Sequence, residues 1–314
     1  MRNILSTVNL KPHMIEHINQ HYPDMEYRFS KTRDLTEADK EWCEIFITYG
    51  SNFDSEDVRL FKNLKWMMVM SAGLDDLPLE SLEHVHITNA KGIHKIQMTE
   101  YTVGLLLDFY KDFHQLKVDQ ENAHWRKNAK TEEIYDKVVH ILGTGSIGSH
   151  LAKVLQAFGT QVAGYNTTGH EVEAFDHTYA ISELEGHIGE ADIVINILPS
   201  TDKTRGLLDA GIFGRMKETA VFVNIGRGDV MTDETISHVL EEGMIRHMIL
   251  DVFNEEPLPS DHIFYTYDNL TITPHASSKT EGYLKRGFEI FAHNLQYMEE
   301  KESMMNIIDN KKGY

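Results

Sequence analysis

Apolar residues along this chain recur with two different periods, and the period switches at regular intervals. Short runs rich in β-branched and aromatic residues predict strands, and apolar positions three or four residues apart predict helices. In the first ninety residues, strands are predicted at 4–8, 26–29, 44–49, 66–70 and 86–88, with helices at 14–18, 37–42 and 54–61 between them. This alternation favours βαβ units around a parallel sheet.

The alternation resumes after residue 137. Strands are predicted at 138–142, 161–165, 192–198, 220–225, 245–252 and 270–273, and helices at 147–158, 182–189, 208–216 and 232–240. Two longer helices, 96–116 and 277–298, are expected to connect the two series. We therefore predict an α/β protein of two doubly wound parallel-sheet domains, one formed by residues 1–95 and 282–314 and the other by residues 96–281.

The turn after the first strand of the second series carries three glycines. Gly143, Gly145 and Gly148 have the spacing G-x-G-x-x-G between a predicted strand and a predicted helix. In such a turn the first glycine lets the chain reverse, the second lets backbone approach a pyrophosphate, and the third lets the helix pack closely on the strand. The helix N-terminus adds N–H groups and a positive dipole end. The local context predicts a dinucleotide site, although the same spacing occurs in plain loops.

The amino-acid composition limits the kinds of partner and the cell compartment expected for this protein. The 314 residues carry 30 Lys and Arg against 49 Asp and Glu, and this formal charge of −19 disfavours nucleic acid or an anionic membrane surface. A single cysteine, Cys43, excludes internal disulfides and fits a reducing compartment. No apolar run reaches the length of a membrane helix, and the N-terminus does not resemble a signal peptide. These features favour a cytoplasmic protein, and no metal site is expected.

Three polar side chains stand at the ends of predicted strands in the second series. Arg227 lies between two glycines, Glu256 follows Glu255 just before a proline, and His275 stands at the end of the last strand. Each also has an ordinary interpretation: Arg227 is close enough in sequence to pair with Asp229, Glu256 fits an exposed loop, and His275 is one of 18 histidines.

Together with the dinucleotide turn, these three groups match the needs of 2-keto acid reduction. That reaction requires a hydride donor, a cation that fixes the carboxylate and polarises the ketone, and a proton donor that works near neutral pH. The planar fork of arginine suits carboxylate and carbonyl oxygens. Histidine is the natural proton donor, and a neighbouring carboxylate keeps it protonated.

A turn in the first series, at 71–75, closes the fourth predicted strand with the residues Ser-Ala-Gly-Leu-Asp. Small residues leave backbone N–H groups accessible at the strand end, which is where open α/β sheets bind ligands. From the residues alone, this segment is either a carboxylate-binding loop or only a turn.

The order of these motifs resembles that of the D-isomer-specific 2-hydroxyacid dehydrogenases, the family of D-lactate, phosphoglycerate and glyoxylate/hydroxypyruvate reductases. The motifs are Ser-Ala-Gly-Leu-Asp at 71–75, Gly-Thr-Gly-Ser-Ile-Gly at 143–148, Leu-Pro-Ser-Thr at 198–201, Asn-Ile-Gly-Arg-Gly at 224–228, Asp-Val-Phe-Asn-Glu-Glu-Pro-Leu-Pro at 251–259 and Thr-Pro-His-Ala-Ser at 273–277. The resemblance covers nearly the whole chain. It implies a Rossmann dinucleotide-binding domain, a flavodoxin-like substrate domain and a homodimer built by the helix after Ile96.

The resemblance also implies roles for individual residues. Arg227 would polarise the substrate carbonyl, His275 would act as acid and base, and Glu256, the acid immediately before the proline, would be the carboxylate partner of the histidine. The implied substrate-binding residues are Ala72, Gly73, Leu74 and Arg227. The implied cofactor-binding residues are Gly143, Gly145, Ser146, Ile147, Gly148, Asn166, Thr167, Thr168, Leu198, Pro199, Thr204, Ile225, Gly226, Asp251 and Ser277, with Asp251 at the nicotinamide amide.

One position departs from the NAD-type pattern. An acid about 20 residues after the glycines would bind the ribose 2′-hydroxyl, but the chain reads Tyr-Asn-Thr-Thr-Gly-His at 165–170. Nothing in this segment repels a 2′-phosphate; Asn166, Thr167 and Thr168 offer it hydrogen bonds and His170 offers charge. No arginine stands nearby, as it does in strongly NADP-selective members. We therefore favour NADP and keep NAD as the alternative.

The sequence thus predicts an NAD(P)H-dependent reductase that converts a small 2-keto acid into the D-2-hydroxy acid, and it leaves the identity of the acid open. A dinucleotide-sensing regulatory protein of the same fold is the alternative from a different class; retention of all three polar residues favours the enzyme. A formate dehydrogenase-like activity is a further alternative, but those enzymes carry glutamine where this chain has Glu256.

Overall fold

The computed structural model of this chain describes residues 2–51, 53–71, 74 and 77–309. The chain divides into two compact units: unit 1 is the described part of Met1–Ile93 and Thr280–Tyr314, and unit 2 is His94–Lys279. Each unit is built on one parallel sheet with helices. The α/β fold class expected from the alternating pattern is therefore confirmed.

Unit 1 contains a five-stranded sheet. Its strands are β1 (Arg2–Ser6), β2 (Met25–Phe29), β3 (Ile45–Thr48), β4 (Trp66–Val69) and β5 (His86–Asn89), and the helices before residue 94 are α1 (Pro12–His21), α2 (Glu37–Trp42) and α3 (Ser55–Arg59). The strands pair in parallel in the order β2-β1-β3-β4-β5. This is the flavodoxin-like order that the resemblance implied.

The core of unit 1 occupies both faces of this sheet, since successive side chains of a strand point to opposite faces. Trp66 and Met68 of β4 belong to the apolar cluster on one face, and Met67 and Val69 belong to the cluster on the other. Every residue of β3 and β4 is buried as a result. The methionines at 67, 68 and 70 are core residues, each at most 2% exposed.

Unit 2 contains a seven-stranded sheet. Its strands are β6 (Val138–Leu142), β7 (Gln161–Asn166), β8 (His177–Ala180), β9 (Ile193–Asn196), β10 (Val221–Asn224), β11 (His247–Leu250) and β12 (Leu270–Ile272), and its helices are α4 (Lys95–Lys111), α5 (Phe113–Glu121), α6 (Ser146–Ala157), α7 (Leu184–His187), α8 (Ala210–Phe213) and α9 (Asp233–Glu241). All pairings are parallel, in the order β12-β11-β10-β9-β6-β7-β8. From β6 the chain first adds strands on one side of the sheet and then, from β9 onward, on the other side. Rossmann sheets bind dinucleotides at this switch point between β6 and β9.

The single helix expected at 96–116 is two helices in the structure. Helix α4 ends at Lys111, and Asp112 adopts a left-handed conformation (φ 56°) before α5 begins. Aspartate tolerates this conformation better than most residues. Its carboxylate lies 3.6 Å from Arg126, a tertiary contact that the helical pattern of the sequence does not show.

The last helix also differs from its prediction at 277–298. Helix α10 (Tyr283–Gln296) belongs to unit 1 and begins six residues later than expected. The backbone N–H groups of Ala276 and Ser277 bond the Asp251 carboxylate, and the chain then makes turns up to Thr280. These early residues are therefore used by a loop and cannot start a helix.

Two further elements of unit 2 depart from the predicted pattern. Strand β8 was not predicted, since its sequence His-Thr-Tyr-Ala is half polar and lies at the sheet edge beside β7. The helix expected at 208–216 is reduced to Ala210–Phe213. In the described part of the chain, no helix combines the length and apolar character needed to cross a bilayer.

Candidate active site

The glycine turn after β6 has the geometry of a pyrophosphate cradle. Gly143 adopts φ 114°, and a Cβ at Gly148 would lie only 2.0 Å from the Gly143 carbonyl oxygen, so both positions require glycine. A Cβ at Gly145 would meet nothing within 4 Å, which leaves open space in front of the backbone. No side chain caps the first turn of α6, so its N–H groups remain available to an anion. These residues fit a dinucleotide.

The end of β7 carries a closed turn where NAD-type sheets place an acid. The Asn166 side-chain oxygen accepts hydrogen bonds from the N–H groups of Thr168 (3.1 Å) and Gly169 (2.7 Å), and its Nδ2 donates to the His170 carbonyl. Thr168 Oγ1 lies 3.1 Å from His170 Nδ1, and Thr167 is exposed. The turn therefore presents hydroxyl and imidazole groups and no carboxylate of its own.

The loop after β9 contains three of the expected cofactor residues. The Thr204 hydroxyl donates to the Pro199 carbonyl at 2.6 Å and accepts from the Thr201 N–H at 2.9 Å. The Leu198 N–H donates to Asn196 at the end of the strand. This loop is thus held in one shape by its own polar groups.

Two buried asparagines join the carboxyl ends of β9 and β10. Asn196 Nδ2 donates to Asn224 Oδ1 at 2.9 Å, and both side chains are 0% exposed. Asn224 also accepts from the Gly226 N–H and donates to the Arg227 carbonyl. The backbone around Arg227 is therefore fixed from the neighbouring strand.

The glycines on both sides of Arg227 are required by close packing. A Cβ at Gly226 would lie 2.8 Å from the Leu198 carbonyl oxygen, and one at Gly228 would lie 2.2 Å from the backbone of Phe253. The loops after β9, β10 and β11 consequently touch one another. Ile225, next in sequence to Gly226, is 2% exposed.

Arg227 is exposed, and within the described residues no acid pairs with it. Its Nη1 donates to the Gly226 carbonyl at 2.9 Å. The pairing with Asp229 that the sequence left open does not form, because Asp229 lies 3.4 Å from Arg205 and also accepts a hydrogen bond from Ser200. The guanidinium therefore keeps donors for a ligand.

Glu256 and His275 form a direct pair. The Glu256 Oε2 to His275 Nδ1 distance is 2.6 Å, and Glu256 Oε1 accepts from the Phe253 N–H at 3.0 Å. The carboxylate thus joins the loop after β11 to the ring, while Nε2 of His275 makes no hydrogen bond to a described residue. Since Nδ1 donates to the carboxylate, Nε2 accepts a proton when the ring is neutral and donates one when it is charged.

A second carboxylate holds the backbone of the histidine turn. Asp251 Oδ1 accepts from the Thr273 hydroxyl (2.6 Å) and the Ala276 N–H (2.8 Å), and Oδ2 accepts from the Ser277 N–H (3.0 Å). The Asp251 carbonyl accepts a hydrogen bond from the His275 N–H. The backbone of His275 is in the left-handed region, with a φ of 48°. Asp251 and Ser277 are at most 1% exposed. These hydrogen bonds bury the Asp251 carboxylate in the turn; its implied contact with the nicotinamide amide stays a prediction.

A cavity of about 520 Å³ lies beside the histidine and its acid. Its walls combine Phe253, Pro257 and Tyr265 with the polar residues Glu256 and His275. A small molecule in this cavity, which is lined by residues of unit 2, contacts both Glu256 and His275.

The expected carboxylate-binding turn of unit 1 is only partly described. Ala72, Gly73 and Asp75 lie outside the described residues, and Leu74 is 8% exposed. Cys43 is fully buried, and burial raises the pKa of its thiol, which argues against a nucleophile. Within the described ranges, no group of three His, Cys, Asp or Glu side chains is arranged to hold a metal ion.

The family model described as "D-isomer specific 2-hydroxyacid dehydrogenase, NAD binding domain" matches residues 103–277, more than half of the chain. The chain belongs to this family. It is therefore, by family, an oxidoreductase of the NAD(P)-dependent 2-hydroxyacid dehydrogenases, and its second unit carries the NAD-binding match. The resemblance inferred from the motifs is confirmed.

Relatives and solved structures agree with this assignment. Glyoxylate/hydroxypyruvate reductase A of Photorhabdus laumondii is 30% identical over 219 residues, which are 70% of this chain and 69% of that protein. A D-isomer specific 2-hydroxyacid dehydrogenase family protein from Aeromonas salmonicida has a TM-score of 0.86 at 26% identity and covers 98% of this chain and 99% of its own. An NADPH-dependent glyoxylate/hydroxypyruvate reductase from Sinorhizobium meliloti, solved with NADP and sulfate, has a TM-score of 0.80 at 22% identity with full coverage of both chains, and shows the shared fold.

The sequence analysis did not identify the buried polar residues that connect the loops of this site. Asn196 and Asn224 were not singled out, and Asp251 was assigned a contact with ligand and none with the histidine turn. The available signal was a polar residue closing an otherwise apolar strand, as in Ile-Val-Ile-Asn and Val-Phe-Val-Asn. A polar group in that position is buried and must find a partner.

Proposed function

We propose that the protein reduces a small 2-keto acid to the D-2-hydroxy acid with NADPH or NADH, and that His275 delivers the proton. The observation that carries the proposal is the His275–Glu256 pair at 2.6 Å, with Nε2 of the ring left without a partner among the described residues. Family membership supports the reaction class, and this pair supports the assignment of the proton donor.

Proton transfer follows from the orientation of the ring. Glu256 accepts from Nδ1, stabilises the charged ring and directs Nε2–H toward the substrate oxygen. In the reverse direction, the neutral ring accepts the hydroxyl proton at Nε2. Asp251 keeps the ring in place through the backbone of its turn, and the left-handed φ of His275 persists because these hydrogen bonds hold it.

Arg227 is proposed to bind the substrate carboxylate and to polarise the carbonyl. Its guanidinium has no acid partner among the described residues, and two neighbouring loops fix its backbone. A planar cation with free donors suits both oxygens. The resemblance adds Leu74, with Ala72 and Gly73, as backbone donors to the carboxylate.

The dinucleotide is proposed to lie along the carboxyl edge of the unit 2 sheet. Gly143, Gly145 and Gly148 would accept its pyrophosphate, with Ser146 and Ile147 in the first turn of α6. Leu198, Pro199, Thr204, Ile225 and Gly226 would form the wall on the β9 and β10 side. When bound, NAD(P)H supplies the hydride for the carbonyl carbon.

NADP is proposed to be preferred to NAD. The turn at 166–170 lacks a carboxylate, and its Thr168 hydroxyl and His170 ring are exposed where a 2′-phosphate would lie. The Sinorhizobium meliloti reductase of similar fold is NADPH-dependent and was solved with NADP. Equal kcat/KM values for NADH and NADPH, or a higher value for NADH, would contradict this preference.

A panel of 2-keto acids with both coenzymes tests the reaction, and chiral analysis of the product tests its D configuration. His275→Ala is expected to lower kcat about 10²-fold or more while coenzyme affinity stays nearly unchanged. If the variant reduces pyruvate, glyoxylate and hydroxypyruvate as fast as the parent, the role given to His275 is wrong.

A homodimer is proposed through the helical segment after Ile96, which the structure divides into α4 and α5. Phe113 of α5 is 53% exposed and Trp125 is 90% exposed. Exposed apolar side chains of this size are found at many interaction surfaces. Light scattering coupled to size exclusion would show a mass near twice that of the chain, and a monomer at micromolar concentration would exclude the dimer.

A further inference from the structure

The cavity beside the His275–Glu256 pair is enclosed by three neighbouring segments of the chain. They are the loop after β11, the end of β12 with the turn that follows it, and the short 3₁₀ helix Ile263–Thr266. All three segments belong to unit 2. The volume of about 520 Å³ falls within the range of roughly 300–1,000 Å³ that is usual for small-molecule sites. The cavity is therefore large enough for a metabolite next to the proposed proton donor.

Most of the polar side chains in the walls of this cavity are already bonded to the protein. The Glu256 carboxylate bonds His275. The Thr273 hydroxyl donates to Asp251 at 2.6 Å, and Nζ of Lys279 donates to a backbone carbonyl at 3.4 Å. The remaining walls are mostly apolar and come from Phe253, Pro257, Leu258, Tyr265, Ile272 and Pro274. A ligand in this cavity therefore gains chiefly from the apolar surface that it covers.

Tyr265 supplies an apolar wall that the protein itself leaves partly uncovered. The side chain lines the cavity and is 54% exposed, and its hydroxyl makes no hydrogen bond to a described residue. An aromatic ring of this kind gains by packing against an apolar ligand. Ile263, on the same short helix, is 51% exposed but does not line the cavity. The two residues therefore form a matched pair for a test.

The groups already proposed to bind the substrate and coenzyme leave this cavity open. Arg227, proposed to bind the carboxylate, does not line it, and neither does the glycine turn proposed to bind the pyrophosphate. His275, proposed to protonate the carbonyl oxygen, does line it. The side chain of a 2-keto acid begins one bond from the carbonyl carbon. When the carbonyl oxygen is at Nε2 of His275, that side chain therefore starts beside the cavity.

We infer that this cavity binds an apolar side chain of the substrate, so that the preferred 2-keto acid carries a branched aliphatic or aromatic group. This inference rests on the proposed function, which places the substrate carbonyl at His275. The hydrogen of glyoxylate or the methyl group of pyruvate would leave most of the cavity to water. A larger group covers the Tyr265 ring and the other apolar walls, and each methylene added in such a pocket typically raises kcat/KM about 10-fold or more.

Keto acids with side chains of increasing size test the inference. We expect kcat/KM to rise from pyruvate through 2-oxobutyrate to 4-methyl-2-oxopentanoate and phenylpyruvate, by at least about 10-fold over the series. We expect 2-oxoglutarate to be a poorer substrate than 2-oxovalerate of the same chain length, because its second carboxylate would lose water in an apolar cavity. Equal kcat/KM values across the series, or a preference for 2-oxoglutarate, would overturn the inference.

The matched pair of exposed residues tests the position of the side chain. Tyr265→Ala is expected to lower the ratio of kcat/KM for phenylpyruvate to that for pyruvate about 10-fold, chiefly through KM. The control Ile263→Ala is expected to leave this ratio unchanged. Leu258→Trp, which reduces the cavity volume from a different wall, is expected to lower the ratio as well and decides the question if Tyr265→Ala fails to fold by circular dichroism.

Two outcomes of these variants would contradict the inference. An equal change of the ratio in Tyr265→Ala and Ile263→Ala would show that the effect does not arise in the cavity. A weaker Kd of the coenzyme in Tyr265→Ala, with the ratio unchanged, would assign the cavity to the coenzyme.

A binding measurement separates this inference from the proposed function. The probes are 3-phenylpropionate and propionate, which lack the oxygen that is reduced. By calorimetry with the oxidised coenzyme present, 3-phenylpropionate is expected to bind at least about 10-fold more tightly, and Tyr265→Ala is expected to reduce this difference. If no 2-keto acid is reduced but the difference is present, the proposed function fails and the apolar site stands. If 2-keto acids are reduced and the difference is absent, the proposed function stands and this inference fails.

Discussion

The carboxyl edges of the two sheets are organised differently. In unit 1, the polar residues that end β1 and β3 bond their own loops: the Ser6 hydroxyl bonds the backbone of Val8, and Thr48 accepts from the Gly50 N–H. In unit 2, the corresponding side chains reach across to other strands. Asn196 bonds Asn224, 28 residues away, and Asp251 bonds the turn that carries His275, about 25 residues away.

This difference follows from what each edge must position. The proposed acid, its carboxylate partner and the arginine of unit 2 come from three separate loops, and their relative placement determines proton transfer and carbonyl polarisation. Side chains that join one loop to another fix that placement. In unit 1, the side-chain hydrogen bonds of Ser6 and Thr48 stay within their own loops, and backbone groups make the bonds between neighbouring loops, as from the Thr7 N–H to the Ile47 carbonyl.

The largest expected effect comes from removing the side chain that holds the turn of His275. Asp251→Ala removes the acceptor for Ala276, Ser277 and Thr273, and the left-handed turn that presents His275 loses its support. We expect kcat to fall about 10²- to 10³-fold, comparable with loss of a general acid, while the Kd of the coenzyme changes less than about 3-fold.

A coenzyme analogue distinguishes this role of Asp251 from a contact with the nicotinamide amide. The 3-acetylpyridine analogue lacks the amide N–H groups. If Asp251 bound that amide, the variant and the parent would differ little with the analogue. An equally large loss with both coenzymes supports the role in the turn.

The second largest expected effect is on the pH dependence of stability, because unit 2 buries a histidine in its central strand β6. His140 of β6 is 1% exposed, and burial lowers its pKa from 6.5 to about 4. The unfolded chain therefore binds a proton between pH 6.5 and 4 that the native protein excludes, so stability is complete above pH 6.5 and declines as the pH falls toward 4. Between pH 7 and pH 4.5, the titration of His140 lowers the free energy of unfolding by on the order of 2.5 kcal/mol.

Denaturant unfolding at several pH values measures the contribution of His140. His140→Gln does not titrate, and its free energy of unfolding should decline less steeply with acid than that of the parent. Parallel pH dependences would show that burial of this ring has no net effect. His247, whose pKa is also lowered to about 4 by burial, provides a second site in the same unit.

A smaller effect is expected when only the charge of a link is changed. Glu256→Gln keeps one acceptor oxygen, which serves either the Phe253 N–H or Nδ1–H of His275 but not both, and it no longer compensates the charged ring. We expect kcat to fall about 10-fold, less than the roughly 10²-fold lower limit for loss of a general acid or base, because His275 itself remains. Single-turnover measurements separate this loss from product release. An unchanged single-turnover rate would remove Glu256 from the chemistry.

The smallest effect is expected at the carboxyl ends of the strands in unit 1. Thr48→Val removes a bond to Gly50 within the same loop and preserves the side-chain volume. A stability loss of about 1 kcal/mol and a change in kcat of less than about 2-fold are expected. Asn224→Ala, the matched change in unit 2, should lower kcat/KM more, because it releases the backbone of Arg227. Equal effects of the two changes would contradict the comparison.

Most of the fold could be read from local patterns. Central strands such as β4 and β10 are continuous apolar runs because both faces of their sheets are covered. Edge strand β8 was missed because half of its residues are polar. The break at Asp112 and the late start of α10 depend on contacts with Arg126 and Asp251, which local periodicity does not contain.

The sequence by itself determined the α/β alternation, the glycine turn and the family, because glycine spacing, strand-ending polar residues and motif order are local properties of the chain. Only the tertiary structure showed that the Glu256 and His275 side chains meet, that Asp251 holds the turn of His275, and that Asn196 and Asn224 bond each other. These contacts join residues far apart in sequence, and they form because buried polar groups must find partners wherever the fold brings them together.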